Sequence, residues 1–179
     1  MARDGVGRAT EEGFLEFAAA RTGQLYRTAC LLAGGDVHLA EDLVQEALGR
    51  VYAQWQRTSW LAPRGRIDNP AGYAQTVLVR TFLSHRRRRS SAEQPTEVLP
   101  DHEARPADPL LRIALVEALG RLSPGDRAVL VLRYWEDRSV QETAEVLRVS
   151  PGAVRVRSLR ALGRIRELIG DDLALLAEA

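Results

Sequence analysis

The sequence predicts an all-α protein: two small helical domains joined by a flexible acidic linker, the second domain ending in a helix-turn-helix. No stretch of about four to eight residues alternates convincingly between apolar and polar side chains, as a half-buried strand would. Apolar residues recur instead at the three- and four-residue spacing of amphipathic helices. A capping residue followed at once by proline marks four helix starts: Asn69, Asp108, Ser123 and Ser150.

The first domain, residues 10–89, is expected to begin with a long helix. Thr10 is expected to cap this helix, with the residues before it frayed, and the helix is expected to run to about Ala33. The paired glycines that follow predict its end, because glycine readily adopts the left-handed conformation of a helix stop. Asp36 is then expected to cap a second helix that continues to about Arg57.

The second helix carries two different faces. An apolar face predicts a buried stripe: Val44, Ala47, Leu48, Val51 and Trp55. Another face combines acidic, amide and small side chains: Asp42, Gln45, Glu46, Gly49 and Ala53. A glycine inside a helix costs ~1 kcal/mol relative to alanine, so a packing reason is expected for it. A flat face with a polar rim suits docking against the helices of a partner, and a solvated face that tolerates one glycine is the alternative.

Residues 57–68 are expected to form a loop that carries Trp60, Arg64 and Arg66. The third helix then starts at Asn69-Pro70 and predicts a second buried stripe: Ala74, Val77, Leu78, Thr81 and Phe82. Its other face is expected to carry a mixed set: Thr76, Val79, Arg80, Leu83 and Arg87. An aromatic loop beside a basic helix favours single-stranded nucleic acid, because bases stack on aromatic rings while arginine follows phosphates. Arginines that merely offset the dipole of the helix end are the alternative.

Residues 90–107 are expected to form the linker, because they contain three prolines and few apolar side chains. The net charge of the chain changes sign at each end of this linker. Residues 64–92 hold seven arginines against one aspartate, residues 93–109 hold five acids against one arginine, and residues 150–170 hold five arginines against one glutamate. The net charge of +1 therefore conceals two basic zones that flank an acidic strip. All 25 basic residues are arginine, which also suits GC-rich codon usage.

The second domain is expected to span residues 108–170. Its first helix predicts a row of leucines: Leu111, Leu115, Leu119 and Leu122. Ser123-Pro124 is expected to open a further helix with its own apolar positions: Val129, Leu130, Leu132 and Trp135.

Residues 139–169 predict a helix-turn-helix. Ser139 and Glu142 make a capping box at the start of the segment SVQETAEVL, since each side chain can bond the backbone of the other. Residues 148–150 supply a short turn, and Ser150 with the proline after it starts the second helix.

The second helix of this pair also has two sides. One side is expected to be buried: Val154, Ser158, Ala161, Ile165 and Leu168. The opposite side carries Arg155, Val156, Leu159 and Arg160. Aliphatic side chains among arginines suit a DNA major groove, where arginine reads guanine edges and aliphatic groups meet thymine methyls. An ordinary amphipathic helix rich in arginine is the alternative.

Other kinds of site find little support in the sequence. Cys30 is the only cysteine, so no disulfide framework exists and a reducing compartment is expected. His38, His85 and His102 lack metal-ligand spacing, and no paired carboxylates or glycine-rich phosphate loop stand out. No apolar run reaches ~18 residues, and no signal-peptide pattern begins the chain. We therefore expect a soluble cytoplasmic protein that is not an enzyme and has no cofactor or metal.

Three segments of the sequence indicate a particular family of proteins: AEDLVQEALGRVYAQW, NPAGYAQTVLVRTFLSHRRRR and LSPGDRAVLVLRYWEDRSVQETAEVLRVSPGAVRVRSLRAL. In this order and spacing they resemble regions 2.2, 2.3–2.4 and 4 of the extracytoplasmic-function (group IV) sigma factors of the sigma-70 family, across roughly residues 12–169. The resemblance implies that the first segment docks on the polymerase clamp, the second captures the unwound −10 element and the third reads the −35 element. The polymerase would then perform the chemistry.

The resemblance also implies a role for particular residues. The −35 contacts would be Arg155, Val156, Arg157, Leu159 and Arg160. The −10 contacts would be Trp60, Arg64, Arg66, Thr76, Arg80 and Arg87. The polymerase-docking face would be Asp42, Gln45, Glu46 and Gly49. Implied partners are promoter DNA, the clamp and flap of the large subunits of bacterial core RNA polymerase, and, where one exists, an anti-sigma factor. The acidic linker would follow the path of nascent RNA.

Three positions depart from the family pattern. The family usually has Asn where Arg80 stands and Asp where Ser84 stands, and Thr is common in place of Ala153. The resemblance therefore leaves the base preference at −10 open. A free-standing helix-turn-helix regulator of the LuxR-like kind, whose first half senses a ligand or dimerises, is the alternative function. The arginine-rich third helix and the lack of pocket-like composition in the first half argue against it.

Overall fold

A computed structural model of the chain describes the backbone of residues 2–60, 69–89 and 109–177, and the side chains within 11–57, 69–88 and 113–170. All regular secondary structure in those ranges is helical, which confirms the predicted fold class. The first half contains α1 (Ala2–Ala33), α2 (Val37–Trp60) and α3 (Pro70–Arg89). The second half contains α4 (Pro109–Gly120), α5 (Pro124–Leu130), α6 (Val140–Leu147) and α7 (Pro151–Ala177).

Two helix boundaries in the first half differ from the prediction. α1 starts at Ala2, so Thr10 lies inside a helix and does not cap one. The reason is that no proline interrupts the chain before Thr10. α2 runs on to Trp60, so this tryptophan ends a helix and does not sit in a loop. The first proline after it is Pro63, and nothing between Arg57 and Trp60 breaks a helix.

Apart from the Thr10 cap, the predicted helix stop and caps of the first half are confirmed. Gly34 and Gly35 have φ angles of 69° and 90°, and the N–H of Gly35 donates to the Cys30 carbonyl at 3.1 Å. This six-to-one bond satisfies a carbonyl that the end of α1 leaves without a helical partner. Asp36 Oδ1 accepts the Leu39 N–H at 2.9 Å, and Asn69 Oδ1 accepts from the third residue after it at 2.9 Å. These caps set the chain directions from which α2 and α3 pack on α1.

The second half follows the predicted caps at Ser123, Ser139 and Ser150, whereas the predicted cap Asp108 lies outside the described residues. It departs from the prediction in four details, the first of which is that Trp135, expected among the apolar positions of the helix that Ser123 opens, is 52% exposed. Ser123 accepts the Asp126 N–H at 3.2 Å and opens α5 as expected. α5 then passes into a π-helical segment, Val131–Trp135, where a continuous α-helix was predicted. In α4 the predicted leucine row is wrong at Leu115, which is 38% exposed, because Ala114 and neighbouring small residues supply the buried contacts instead. α7 also extends beyond the predicted end at 169.

The helix-turn-helix has the predicted geometry. Ser139 Oγ accepts the Glu142 N–H at 3.1 Å, and Glu142 Oε2 accepts the Ser139 N–H at 2.8 Å, so both halves of the capping box are present. Arg148 takes the left-handed conformation with φ of 55° and ends α6. Ser150 Oγ then accepts the Ala153 N–H at 3.1 Å at the start of α7. The predicted inner side of α7 is buried throughout: Val154, Ser158, Ala161, Ile165 and Leu168.

The two halves of the chain share one hydrophobic core, which the sequence did not predict. Buried residues of α1, α2 and α3 pack in one cluster with four residues of the second half: Ala128, Val131, Leu132 and Val146. Val79 was expected on the outer face of α3, yet it is fully buried. The face of α3 that would be open in an isolated first half is covered in this fold, since α3 contacts both α5 and α6.

Two further contacts tie the halves together. The Arg127 guanidinium is 2% exposed and donates to the carbonyl of Leu32 at 2.7 Å, and to the carbonyls of Gly120 and Leu122 in its own half. It also lies 5.7 Å from the centre of the Phe82 ring. Gly34 meets Gly120 so closely that a Cβ on Gly34 would lie 2.7 Å from the Gly120 Cα. Gly34, which also has a positive φ, therefore allows a backbone approach that a larger residue at this position would prevent.

The predicted linker, residues 90–107, lies outside the described residues. Among the helices that are described, none combines the length and the apolar character needed to cross a bilayer.

Candidate nucleic-acid interface

The outer side of α7 presents apolar and basic side chains together. Val156 is 63% exposed and Leu159 is 75% exposed, so neither packs in a core. Arg155 lies beside them on the same exposed side. Leaving aliphatic side chains of this size in contact with water is unfavourable, so a contiguous exposed pair indicates a binding surface. The arginines beside them suit a partner that carries both negative charge and methyl groups.

Two arginines of α7 lie against α5: Arg160 is bonded to Asp126, and Arg157 lies close to Gly125. Arg160 Nη2 donates to both carboxylate oxygens of Asp126, at 2.7 and 2.9 Å. The side chain of Asp126 is 12% exposed, whereas that of Arg160 is 63% exposed, so the pair anchors an outward-reaching arginine on a nearly buried acid. Arg157 is half-buried, with its guanidinium 3.1 Å from where a Cβ on Gly125 would lie. Of the predicted −35 residues, four are exposed and Arg157 is partly covered.

Arg80 of α3 contacts the second half of the chain. Its Nε donates to the carbonyl of Val146 at 3.0 Å, and its Nη2 donates to the carbonyl of Glu145 at 3.2 Å. Both acceptors lie at the C-terminal end of α6, where carbonyls lack helical partners and carry partial negative charge. Thr76, one turn earlier on α3, donates its hydroxyl to the carbonyl of Gly72 at 2.8 Å.

The remaining predicted −10 residues are less fully described. Arg87 is exposed near the end of α3. Trp60 is described only as the last backbone position of α2, and Arg64 and Arg66 lie outside the described residues. The structure therefore places Thr76, Arg80 and Arg87 on one helix. The side chains of the other three predicted −10 residues lie outside the described residues.

An open cleft with a volume of about 560 Å³ lies between α3 and the helix-turn-helix, beside the point where the two are in contact. Its lining includes four arginines and two glutamates, so it is net positive: Arg50, Arg80, Arg138, Arg148, Glu142 and Glu145. Thr76 and Tyr73 also line it. Side chains of this kind suit a phosphate-bearing chain more than an apolar small molecule.

The predicted polymerase-docking face of α2 is solvent-accessible. Asp42, Gln45 and Gly49 are exposed and Glu46 is half-buried, while the intervening core residues are buried. A Cβ on Gly49 would meet nothing within 4 Å, so this glycine is not required by packing inside the chain. Glu46 pairs with Arg50 one turn later. The expected packing reason for Gly49 is therefore absent within this chain.

Sequence reasoning missed a polar cluster that joins the halves. Glu136 follows the π-helical segment, and its carboxylate accepts hydrogen bonds from Thr28 and Gln75, and from Gln24 at 3.3 Å. Arg138 in turn donates to Gln75 at 2.5 Å. Asp126 and Arg127 were likewise missed, because a charged pair beside a helix cap looks like an ordinary solvated turn. No spacing in the sequence reveals partners more than thirty positions away.

Burial and local bonds shift the pKa values of four described groups, and burial is the main cause for Tyr26, whose pKa is raised. Burial, and after it the nearby Arg86, lowers the pKa of Arg127 to about 10, so this guanidinium stays charged at neutral pH. The hydrogen bonds from Ser139 lower the pKa of Glu142. Burial raises the pKa of the half-buried Cys30 thiol, which favours its protonated form.

Comparison with family models places two matches along the chain. Residues 18–92 match sigma-70 region 2, and residues 112–165 match sigma-70 region 4. The RNA polymerase sigma-E factor of Streptomyces coelicolor is 37% identical over 166 residues, which cover 89% of this chain and 88% of that protein. The RNA polymerase sigma factor CarQ of Myxococcus xanthus is 30% identical over 181 residues, covering 94% of each.

Solved structures show the same fold. The sigma factor RpoE in complex with the anti-sigma factor NepR from Bartonella quintana aligns with a TM-score of 0.69 at 20% identity, covering 89% of this chain and 98% of that one. CnrH in complex with the cytosolic domain of CnrY aligns with a TM-score of 0.60 at 21% identity, covering 93% and 96%.

Proposed function

Because the chain belongs to the sigma-70 family of RNA polymerase sigma factors, we propose that its two DNA-reading surfaces are the outer side of α7 and the cleft-facing side of α3. Residues 108–170 act as region 4 and read the −35 element as duplex. Residues 10–89 act as region 2, capture the unwound −10 element and help open the DNA. Residues 90–107 connect the two.

The single observation that carries the −35 assignment is the exposure of Val156 and Leu159 between arginines on a capped helix-turn-helix. A recognition helix enters the major groove with its first turns, which here carry these residues. Thymine methyls can meet the aliphatic groups, while Arg155 and Arg160 reach guanine edges or phosphates. Arg157, being partly covered, acts on the flank of this surface.

The −10 assignment draws support from α3 and the positive cleft beside it. Arg80, Arg87 and Thr76 lie on one helix, and the cleft lining is net positive. An unpaired strand offers phosphates to arginine and exposed bases to aromatic rings. Trp60, Arg64 and Arg66 complete this surface in the proposal, since they precede α3 in the chain.

The partners follow from the family and from the exposed face of α2. Asp42, Gln45, Glu46 and Gly49 form the surface that docks on the clamp of core RNA polymerase, and Gly49 lets the partner's backbone approach closely. Region 4 docks on the flap. The relatives solved with anti-sigma factors support an anti-sigma factor as a further partner. The chain acts by binding, and the polymerase supplies the catalytic site.

Reconstituted transcription tests the proposal. Bacterial core RNA polymerase is mixed with genomic promoter fragments, with and without this chain, and transcript starts are mapped. Specific starts that require this chain are the expected result. Tight and specific binding to duplex DNA without polymerase, together with no new starts, would instead favour a free-standing regulator. The match of residues 18–92 to sigma-70 region 2 argues against that alternative.

A further inference from the structure

We infer that Arg148, in the turn between α6 and α7, is a further DNA-binding residue that bonds a backbone phosphate beside the −35 element. Its guanidinium fixes the position of the helix-turn-helix on the duplex and reads no base. The inference rests on the proposed −35 role of α7 and adds to it a residue outside that helix. It is carried by the backbone conformation of Arg148 together with the exposure of its side chain.

Arg148 adopts a backbone conformation that arginine seldom takes. Its φ and ψ angles are 55° and 47°, which lie in the left-handed region. Among the described residues that are not glycine, only Asp137 shares a positive φ. Aspartate is one of the residue types enriched in this region, whereas arginine is not, and glycine adopts it without steric cost. A glycine at position 148 would therefore suit the turn better than the arginine that occupies it.

The turn holds Arg148 in this conformation from both sides. The N–H of Val149 donates to the Ala144 carbonyl at 3.0 Å, and the N–H of Arg148 donates to the Glu145 carbonyl at 3.3 Å. These bonds are typical of a helix that ends with one left-handed residue. Val149 also packs against a small buried cluster to which α5, α6 and α7 each contribute one residue. The folded protein therefore retains the backbone strain at Arg148, and retained strain of this kind is concentrated at functional sites.

The guanidinium of Arg148 is available to a partner. The residue is exposed, and within the described ranges no other group bonds its side chain. Arg127 and Arg160 differ in this respect, since the first bonds backbone carbonyls and the second bonds Asp126. The charge of Arg148 lies at the C-terminal end of α6, where a cation is favourable. Stabilisation of this helix end is the alternative role of Arg148, and the experiment below separates it from DNA binding.

The place of Arg148 in the helix-turn-helix puts it beside the DNA backbone. In this motif the first helix crosses the backbone, and the second enters the major groove with its N-terminal residues. Arg148 joins the two helices, since it ends α6 and lies shortly before Pro151, the first residue of α7. The groove is about 12 Å wide, so its bordering phosphates lie about 6 Å from a helix at its centre. An extended arginine side chain spans a similar distance, and its planar fork matches the phosphate oxygens.

Three substitutions at position 148 test the inference in the complex of the full chain with core polymerase. Arg148→Gly removes both the charge and the backbone strain, whereas Arg148→Asn removes the charge and keeps a side chain that tolerates the left-handed conformation. Arg148→Lys keeps the charge. Promoter affinity is measured from about 50 to about 200 mM salt, where the loss of a phosphate contact changes the salt dependence. Urea unfolding of the free chain is measured beside it.

Arg148→Gly and Arg148→Asn should bind the promoter at least about fivefold more weakly at the low-salt end. One phosphate contact changes the slope of log affinity against log salt by about 0.9, so the ratio of native to variant affinity should fall about 3.5-fold across this roughly fourfold range. The loss should be equal for all single-base variants of the −35 element, because a phosphate carries no sequence information. Arg148→Lys should retain the native slope. The urea midpoint of Arg148→Gly should equal or exceed that of the native protein, because glycine relieves the strain.

Arg166→Gln is the matched control for the loss of one arginine charge. Arg166 is exposed on α7 and lies about 22 Å along the helix axis from Pro151, which is farther than the groove is deep. The substitution should leave the affinity, the salt slope and the urea midpoint unchanged.

Different outcomes contradict the inference and the proposed function. Unchanged affinity and slope in Arg148→Gly would overturn the inference, and a lower urea midpoint beside them would make Arg148 only a charge at the end of α6. A loss confined to one −35 base pair would also overturn it, since the contact would then be to a base. Because Arg148 also lines the cleft beside α3, a loss that a template pre-melted around −10 restores would overturn it too. If the native chain with core polymerase binds no promoter specifically, the proposed function fails instead.

Discussion

Both carboxylate oxygens of Asp126 accept hydrogen bonds from one nitrogen of Arg160, although the two residues lie 34 positions apart. Asp126 belongs to the first turn of α5 and is nearly buried, whereas Arg160 reaches outward from α7. The pair therefore gives an exposed arginine of the proposed −35 surface a defined orientation in the free protein. Preorganisation of this kind reduces the side-chain entropy that binding would otherwise cost.

Asp126→Asn should flatten the preference at one −35 position while strengthening binding to all sequences slightly. The amide keeps the shape of the side chain but loses the charge that orients Arg160, and the substitution removes a negative charge beside the proposed −35 surface. The measurement is the affinity of the polymerase that carries this chain for promoters that differ by one base in the −35 element, taken at several salt concentrations. A bidentate base contact is worth ~1–3 kcal/mol of discrimination.

A double-mutant cycle completes this test. If Asp126 acts through Arg160, then Asp126→Asn should change the −35 preference little in an Arg160→Ala background. Equal effects of Asp126→Asn with and without Arg160 would show that the acid has no positioning role.

Arg80→Ala and Arg160→Ala should fail at different steps of initiation. Arg160 is assigned to duplex DNA and Arg80 to the unwound strand, so a template already unwound around −10 should largely rescue Arg80→Ala and not Arg160→Ala. The unpairing cost is a few kcal/mol, and the pre-melted template removes it. Run-off transcription on closed and pre-melted templates is the readout. Equal rescue of the two variants would mean that the two surfaces are misassigned.

Asp42→Ala combined with Gln45→Ala should reduce binding to core polymerase by tenfold or more and leave the fold intact. Both side chains lie on the exposed face of α2, and surface substitutions usually shift stability by no more than ~0.5 kcal/mol. Co-purification with core enzyme and thermal unfolding are measured together. The exposed pair Glu11→Ala with Glu12→Ala on α1 is the control. Full retention of polymerase binding would refute the docking assignment.

Local signals in the sequence predicted the elements of this fold well, because each depends on neighbours within one turn. The capping box at Ser139, the glycine stop at Gly34 and the buried sides of α3 and α7 were expected and are confirmed. In the predicted stripe of α2, Leu48 and Trp55 are only partly buried. The packing of the two halves was not expected. Arg80 looked like a basic surface residue in sequence, and only the position of α6 in space gives it two carbonyl acceptors.

The candidate site shows the same division. The exposure of Val156 and Leu159 could be predicted from helical periodicity alone. The partner of Arg160 could not be predicted, because an acidic residue such as Asp126 is common in the first turn of any helix. Arg127 also looks like a solvated residue, yet it is among the most buried side chains described. The burial of Arg127 escapes detection from sequence because one of its carbonyl partners, that of Leu32, lies 95 positions away.

Arg127→Met should destabilise the protein by at least about 2 kcal/mol. The side chain bonds three carbonyls that terminate α1 and α4, and methionine would leave these acceptors buried without donors, at about 1–3 kcal/mol for each unsatisfied group. Urea unfolding measures the change, and Arg166→Met at an exposed position of α7 is the control. Stability equal to the native protein would show that solvent or a shifted neighbour satisfies the carbonyls.

The capping box of the helix-turn-helix should make its stability depend on pH in the acidic range. Hydrogen bonds from Ser139 lower the pKa of Glu142 below its usual value of 4.5. A carboxyl whose pKa is lower in the folded state stabilises that state above the unfolded pKa, and this stabilisation disappears as the pH falls through the folded pKa.

Glu142→Gln keeps an oxygen that can accept the Ser139 N–H but cannot titrate. The urea midpoint of the native protein should therefore exceed that of Glu142→Gln near neutral pH, and the two should converge as the pH falls through the lowered folded-state pKa of Glu142. Glu145→Gln removes a carboxylate from the same helix outside the capping box and controls for net charge. A difference between native protein and Glu142→Gln that stays constant across the range would show that the charge of Glu142 contributes nothing to the cap.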